Sequence, residues 1–187
     1  MVNFKFEELD LAGLYLVSPF FVEDERGYFL KSYEKEIFSN QGIDTDIFET
    51  FESQSKLNVI RGLHFQTENP QSKLVRCVRG KIFDVAVDIR KSSSTYGKWC
   101  GVYLDSDNKK ELFIPQGFAH GFLSLTENSI MSYTCSGKYS KRTDSGIIWN
   151  DKDIGIDWPI NDYSKIIVSN RDKAFGTFKQ FTQSNHF

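Results

Sequence analysis

The sequence predicts a mainly β protein, a sandwich or barrel of short strands with a few short helices. Aromatic residues make up 15% of the chain, with 17 Phe and 8 Tyr, and such side chains suit a pleated, half-buried surface. Short β-branched and aromatic runs recur along the chain, separated by Gly, Asn, Asp and Ser turns. That spacing is the pattern of a sandwich or barrel. One stretch carries its own helix start and stop signals.

Strands are expected at 13–17, 28–33, 59–66, 73–78, 81–89, 98–104, 111–114, 121–125 and 130–136. The helix is expected at 33–41, where Glu34, Lys35 and Glu36 lead into Ile37 and Phe38 and Gly42 supplies a stop. The best-defined piece is a hairpin over 73–89 that turns at Arg79-Gly80. In its second arm Phe83, Val85, Val87 and Ile89 share one face while Asp84 and Asp88 fall on the other. Two acids on such a face are ordinarily solvated.

With 187 residues the chain suits a single domain over 1–187, with 182–187 as a loose tail. There is no internal repeat or low-complexity segment, and the four prolines form no linker. The 23 basic and 25 acidic side chains leave a net charge of −2, so nothing draws the whole molecule to nucleic acid or an anionic membrane. An anionic ligand needs a local basic pocket. Cys77, Cys100 and Cys135 are odd in number and contain no Cys-x-x-Cys pair, which fits a reducing cytoplasm. The N-terminal stretch carries acids where a signal peptide is basic and then apolar. No apolar run approaches the roughly 18 residues of a membrane span.

The chain has three histidines, so proton transfer near neutral pH has few carriers. His186 is one residue from the C-terminus and is expected to be loose. His64 and His120 stand in the glycine-framed segments 61–66 and 115–121, suggesting one site. Pro115-x-Gly117-x-x-His120 matches the second half of the motif of cupin barrels. The first half of a metal cupin normally supplies a His-x-His pair and a carboxylate, whereas here His64 is followed by Phe65 and Gln66. Two usable histidines make a three- or four-ligand metal site hard to assemble. A metal-free barrel is favoured, in which an imidazole suits general-base work. Lys73, Arg61, Tyr133 and Asp172 are its candidate companions, although each alone reads as an ordinary surface or core residue.

Longer segments carry a more specific signal. Segments 24–29, 61–66, 73–90, 114–122, 149–151 and 156–159 together resemble the dTDP-4-dehydrorhamnose 3,5-epimerase family, in one collinear order from about residue 10 to 172. The resemblance implies a metal-free cupin jelly roll without a cofactor. It further implies a homodimer with exchanged N-terminal strands, acting on a nucleotide-activated 4-keto-6-deoxy sugar. It casts His64 as base, Asp172 as the carboxylate orienting it, Tyr133 as acid and Lys73 as the cation beside the C4 oxygen. Arg61 and His120 match positions that hold substrate, Tyr139 one that stacks on the base, and Arg26, Gln66, Asp144 and Arg171 complete the implied binding set. Strict strand alternation places Arg61 on the face opposite His64. Gly62 would permit a bulge that brings both to one cavity.

The chain departs from the family pattern at positions that, in the family, help hold the nucleotide or its sugar. Lys31 replaces an acid, Glu49-Thr50-Phe51 replaces Gln-x-Asn, Asp144 replaces Glu, and Arg171 replaces Lys. A carboxylate exchanged for an ammonium reverses local charge, and a lost amide removes a two-way hydrogen-bonding group. These changes direct attention to GDP or CDP in place of dTDP, or to a 6-deoxy-heptose. The competing readings are a metal-dependent cupin oxygenase or isomerase and a non-catalytic sugar-nucleotide-binding cupin.

Overall fold

The computed structural model describes residues 4–43 and 46–183, so His186 and the tail beyond 183 lie outside the described residues. The expected hairpin is the first surprise. Strands β7 (Lys73–Arg79) and β8 (Lys81–Asp88) do form, with Gly80 between them at φ +79, yet they pair with different sheets. The turn crosses the sandwich. Val75 and Cys77 of β7 meet Ile82 and Ala86 of β8 face to face in one core cluster, because apolar strand faces bury more by packing across the sandwich than edge to edge.

Chain order is β1 (Lys5–Glu8), β2 (Tyr15–Ser18), β3 (Phe20–Asp24), β4 (Gly27–Lys31), α1 (Lys35–Asn40), β5 (Ile47–Ser55), β6 (Val59–Gln66), β7, β8, β9 (Trp99–Asp105), β10 (Glu111–Ile114), β11 (Phe118–Ser124), β12 (Ser129–Ser136), β13 (Asp144–Gly146), β14 (Ile167–Val168), α2 (Asn170–Lys173) and α3 (Phe178–Gln183). One sheet runs β1-β2-β10-β7-β12-β5; the other runs β13-β6-β11-β8-β9, with β14 beside β6. Pairing is antiparallel throughout except for β14. The architecture is the expected cupin-type jelly roll. Hairpin β3–β4 stands apart as its own two-stranded sheet.

All nine expected strands are present, two of them (59–66 and 111–114) with the expected bounds and seven with shifted ends, and the helix is trimmed to Lys35–Asn40. Phe38 anchors α1 in a cluster with Val17, Ile43, Leu74 and Phe113. Gly42 at φ +81 ends it, and the Ile43 N–H returns to the Phe38 carbonyl at 2.9 Å. The strand expected at 121–125 begins earlier, at Phe118, so His120 lies within β11 rather than before it. Strands β1, β3, β5, β13 and β14 were not anticipated.

Asp84 and Asp88 correct the expectation of solvated acids, since both are fully buried. The apolar face of β8, with Phe83, Val85 and Val87, together with Ile89 just beyond it, packs against Ile147, Ile154, Trp158 and Phe181 of the C-terminal region. That leaves the acid-bearing face of β8 turned into the sandwich. Asp88 is satisfied there by Arg90, Ser93 and Thr95. Burial pushes its carboxyl up, but those donors outweigh it and hold the pKa at about 2.

Candidate active site

A cavity of about 400 Å³ opens between the sheets, and His64, Lys73, His120 and Tyr133 all line it. Its floor depends on a bulge in β6. His120 pairs with His64 and Phe122 with Arg61, so three steps on β6 match two on β11. The extra residue lies at Gly62, whose φ of +131 favours glycine. A Cβ there would sit 2.5 Å from the Gly121 Cα, so the two strands approach closely because both positions are glycine. The bulge brings Arg61 and His64 to the same cavity despite strand alternation.

His64 Nε2 lies 3.0 Å from Asp172 Oδ1, and the Gly62 N–H donates to Asp172 Oδ2 at 3.1 Å. Asp172 is set on α2 by its own N–H, which donates to the Ser169 hydroxyl at the helix cap. Burial pushes the Asp172 carboxyl up, but the His64 hydrogen bond and charge and the Gly62 N–H together carry it below the usual range. An ionised carboxylate only accepts, so Nε2–H is the donor and the lone pair of neutral His64 sits on Nδ1.

A second imidazole–carboxylate pair lies beside the first. His120 Nε2 donates to Asp84 Oδ1 at 2.8 Å, with both residues buried. Burial pulls the His120 pKa down, against the pull of Asp84 and assisted by Lys73 and His64. Asp84 Oδ2 has no partner among the described residues. Lys73, on the inward face of β7 with Val75 and Cys77, has its pKa lowered by desolvation. Among the described residues it forms no ion pair.

Tyr133 comes from β12 in the opposite sheet and is 8% exposed. Burial, reinforced by the Asp84 charge, holds its phenol well above the ordinary value, so it stays protonated. Phe51, its direct cross-strand partner on β5, stacks on it with centroids 4.7 Å apart and planes 14° apart. Arg61 lines the cavity with its guanidinium fixed by Ser55 Oγ at 3.0 Å and the Gln54 carbonyl at 2.8 Å.

The remaining expected residues divide. Tyr139, Asp144, Arg171 and Glu49 line the cavity. Asp144 Oδ2 accepts from the Tyr139 hydroxyl at 2.8 Å and pairs with Arg171 at 2.6 Å. Arg171 also lies over Phe175, which meets the His64 ring edge-on. Glu49 accepts from Gln71 at 2.9 Å. Gln66 reaches the cavity wall, but its amide is engaged by Asn69, Lys138 and Ser140 and ties down the neighbouring loops. Arg26 and Lys31 lie outside the cavity. Arg26 pairs with Asp24 at the tip of β3–β4, and Lys31 with Glu34. Sequence reasoning missed Asp84, Phe175 and the stacking by Phe51. Asp84 had a signal: it interrupts an otherwise apolar strand.

A sequence model described as dTDP-4-dehydrorhamnose 3,5-epimerase matches residues 8–180. The chain belongs to the dTDP-4-dehydrorhamnose 3,5-epimerase family. A family member from Methanothermobacter thermautotrophicus is 49% identical over 96% of this chain and 97% of its own. The crystal structure of the Legionella pneumophila dTDP-6-deoxy-D-glucose-3,5-epimerase, in complex with dTDP-4-keto-L-rhamnose, superposes with a TM-score of 0.90 at 35% identity. That match covers 94% of this chain and 93% of the other. A 3'-monoepimerase from Streptomyces bikiniensis in complex with dTDP-quinovose gives a TM-score of 0.86 at 30% identity, over 94% and 88% of the two chains. The solved structures that resemble this chain thus include proteins named for one inversion and for two.

Proposed function

We propose that this protein inverts C3, C5 or both in a dTDP-linked 4-keto-6-deoxy sugar, with His64 as base and Tyr133 as acid. One observation carries the reading: His64 from one sheet and Tyr133 from the other face a single cavity. A C4 ketone acidifies the neighbouring C–H bonds. His64 Nδ1 takes the proton, the C–H electron pair moves into the enolate, and negative charge gathers on the C4 oxygen. Lys73 supplies the cation there. Tyr133 donates its proton to the carbon from the opposite face; the imidazolium then loses its proton to water and the phenolate regains one from it. Asp172 orients His64 and steadies the imidazolium, while Arg61 and His120 hold the sugar. Tyr139 stacks on the nucleotide base beside Asp144, Arg171 and Glu49.

The named relatives support dTDP as the nucleotide. Glu49 in the cavity and Lys31 on the N-terminal hairpin are the reasons to compare GDP and CDP directly, by calorimetric binding of all three. Tighter binding of GDP or CDP would replace the dTDP assignment and reopen the heptose alternative. Both cavity imidazoles already donate to carboxylates, which favours acid–base use over metal ligation.

The active unit we propose is a homodimer that exchanges N-terminal strands. Support comes from β3–β4, which among the described residues pairs with no other strand and exposes Phe21, Val22, Tyr28 and Phe29 with Arg26 at its tip. Sedimentation of the protein with and without residues 20–31 checks this. Three free thiols fit a reducing cytoplasm, and no described helix is long and apolar enough to cross a membrane. The decisive test of the reaction is NMR of the sugar in deuterated water. Exchange at C3 or C5 that His64→Ala abolishes supports the assignment; exchange that persists in that variant removes His64 from the chemistry.

A further inference from the structure

Phe51 occupies a position whose chemistry the proposed reaction leaves unexplained. It is 46% exposed on β5, at the end of its sheet, and lines the cavity. Its ring lies flat on Tyr133, in direct cross-strand register. A second contact comes from His120 on the facing sheet, whose ring meets Tyr133 edge-on with centroids 6.1 Å apart. Val75 of β7 is the cross-strand neighbour on the far side. The phenol is thus clamped between two rings and two strands, and rotation about its side-chain bonds would break the stack.

We infer that Phe51 is a positioning residue that fixes the direction from which Tyr133 delivers its proton, and so sets the ratio of inversion to futile exchange. This rests on the reading of Tyr133 as the acid. Once His64 has taken the proton, the enolate has two fates. The imidazolium returns a proton to the same face, which exchanges hydrogen with solvent but preserves configuration, or Tyr133 protonates the opposite face and inverts the centre. The first route needs only His64. The second needs a phenol hydroxyl held within reach of the carbon, and that geometry is what the stack supplies. The position carries an amide in the family pattern, which can hydrogen-bond but offers no comparable ring face, so the device belongs to this chain. Phe51 also gives the cavity wall an apolar surface that excludes water from the phenol, consistent with a group kept protonated.

The test compares Phe51→Leu, Phe51→Tyr and Tyr133→Phe, following deuterium exchange and epimer formation together on a dTDP-linked 4-keto-6-deoxy hexose. Phe51→Leu keeps apolar bulk but loses the flat ring, and it should raise the exchange-to-inversion ratio by roughly tenfold, a fraction of what a general acid contributes. Phe51→Tyr restores the stack and should restore the ratio. A purely structural role would lower both rates together, so an unchanged ratio in Phe51→Leu overturns the inference while Tyr133→Phe, with inversion lost, leaves the acid assignment standing. Normal inversion in Tyr133→Phe overturns both. Circular dichroism melts of Phe51→Leu establish that the variant measured is folded.

Discussion

Asp172 grips His64 from 108 residues away, its Oδ1 on Nε2 at 3.0 Å and its Oδ2 on the Gly62 N–H at 3.1 Å. One carboxylate therefore holds both the imidazole and the bulge that presents it. Asp172→Asn keeps the size but offers only one acceptor oxygen, and its NH2 cannot accept from Nε2–H. The tautomer with its lone pair on Nδ1 loses its anchor and the imidazolium loses its counter-charge. Solvent exchange at the sugar carbon should fall on the order of 10²–10⁴-fold. Substrate affinity, measured by calorimetry, should change little, because Asp172 lies behind His64 and does not line the cavity.

Lys73 puts activity and stability in opposition. Desolvation lowers its pKa from the usual 10.5, so the folded state releases this proton more readily than the unfolded one. Stability therefore rises with pH in the window below 10.5, and at neutral pH the charged ammonium weighs against folding. Lys73→Met fills the same space without a charge. Its melting temperature at pH 7 should rise, by about 2–4 °C for each kcal/mol relieved, while exchange falls on the order of 10²-fold as the enolate loses its cation. A melting temperature below that of the parent protein would show that the ammonium is well satisfied.

The strands were legible because most alternate cleanly, and β8 shows this best. Which sheet each strand joins was not, since β7 and β8 are neighbours in sequence and carry nothing that says the turn at Gly80 crosses the sandwich. Burial of Asp84 depends on the C-terminal segment around Trp158 covering the other face of β8, a long-range contact that local periodicity does not encode. Strand β5 escaped notice because Ile47, Phe48 and Phe51 do not alternate and Glu49, Thr50, Glu52 and Gln54 dilute the pattern. His64, Lys73, Tyr133 and Asp172 were legible as a set through the family resemblance, which did not point to Asp84 or Phe175 and placed Arg26 and Lys31 in a binding set that the cavity does not include. His64 and His120 were also legible as scarce imidazoles in glycine frames, but no spacing rule links His64 to Asp172.

Glu111 gives the fold a pH dependence of its own, separate from the cavity. It is fully buried on β10; the Ser32 hydroxyl donates to Oε1 at 2.5 Å, Arg76 Nε lies 3.5 Å away, and Oε2 is unpartnered among the described residues. Burial outweighs the Ser32 hydrogen bond and the Arg76 charge and raises its pKa to about 8. Between the ordinary carboxylate value and that point the folded state holds a proton that the unfolded state has lost. Stability contributed by this group is thus present at low pH and declines as pH rises toward 8. Glu111→Gln removes the titration. Its melting temperature relative to the parent protein should climb steadily from pH 5 to pH 8.5, and a constant difference across that range would contradict the assignment.

Gly62 tests whether the bulge is what assembles the site. Its φ of +131 lies where side chains are strained, at about 1–3 kcal/mol. An added Cβ would also stand 2.5 Å from the Gly121 Cα and 2.9 Å from the His120 carbonyl oxygen. Both contacts are backbone and cannot be relieved by turning a side chain, so β6 and β11 must part. Three functional contacts converge on that seam: the Gly62 N–H on Asp172, the His64–His120 register, and the inward swing of Arg61. Gly62→Ala should therefore lower the melting temperature and reduce exchange by more than the unfolded fraction explains, with weaker nucleotide-sugar binding as Arg61 turns away. Gly137→Ser provides the contrast, since Gly137 also has positive φ, at +70, but only a Gln71 side-chain carbon lies near, at 3.9 Å. That variant should lose some stability through backbone strain and keep its exchange rate per folded molecule. Equal exchange in the two variants would mean that the glycine seam supports the fold without positioning the base.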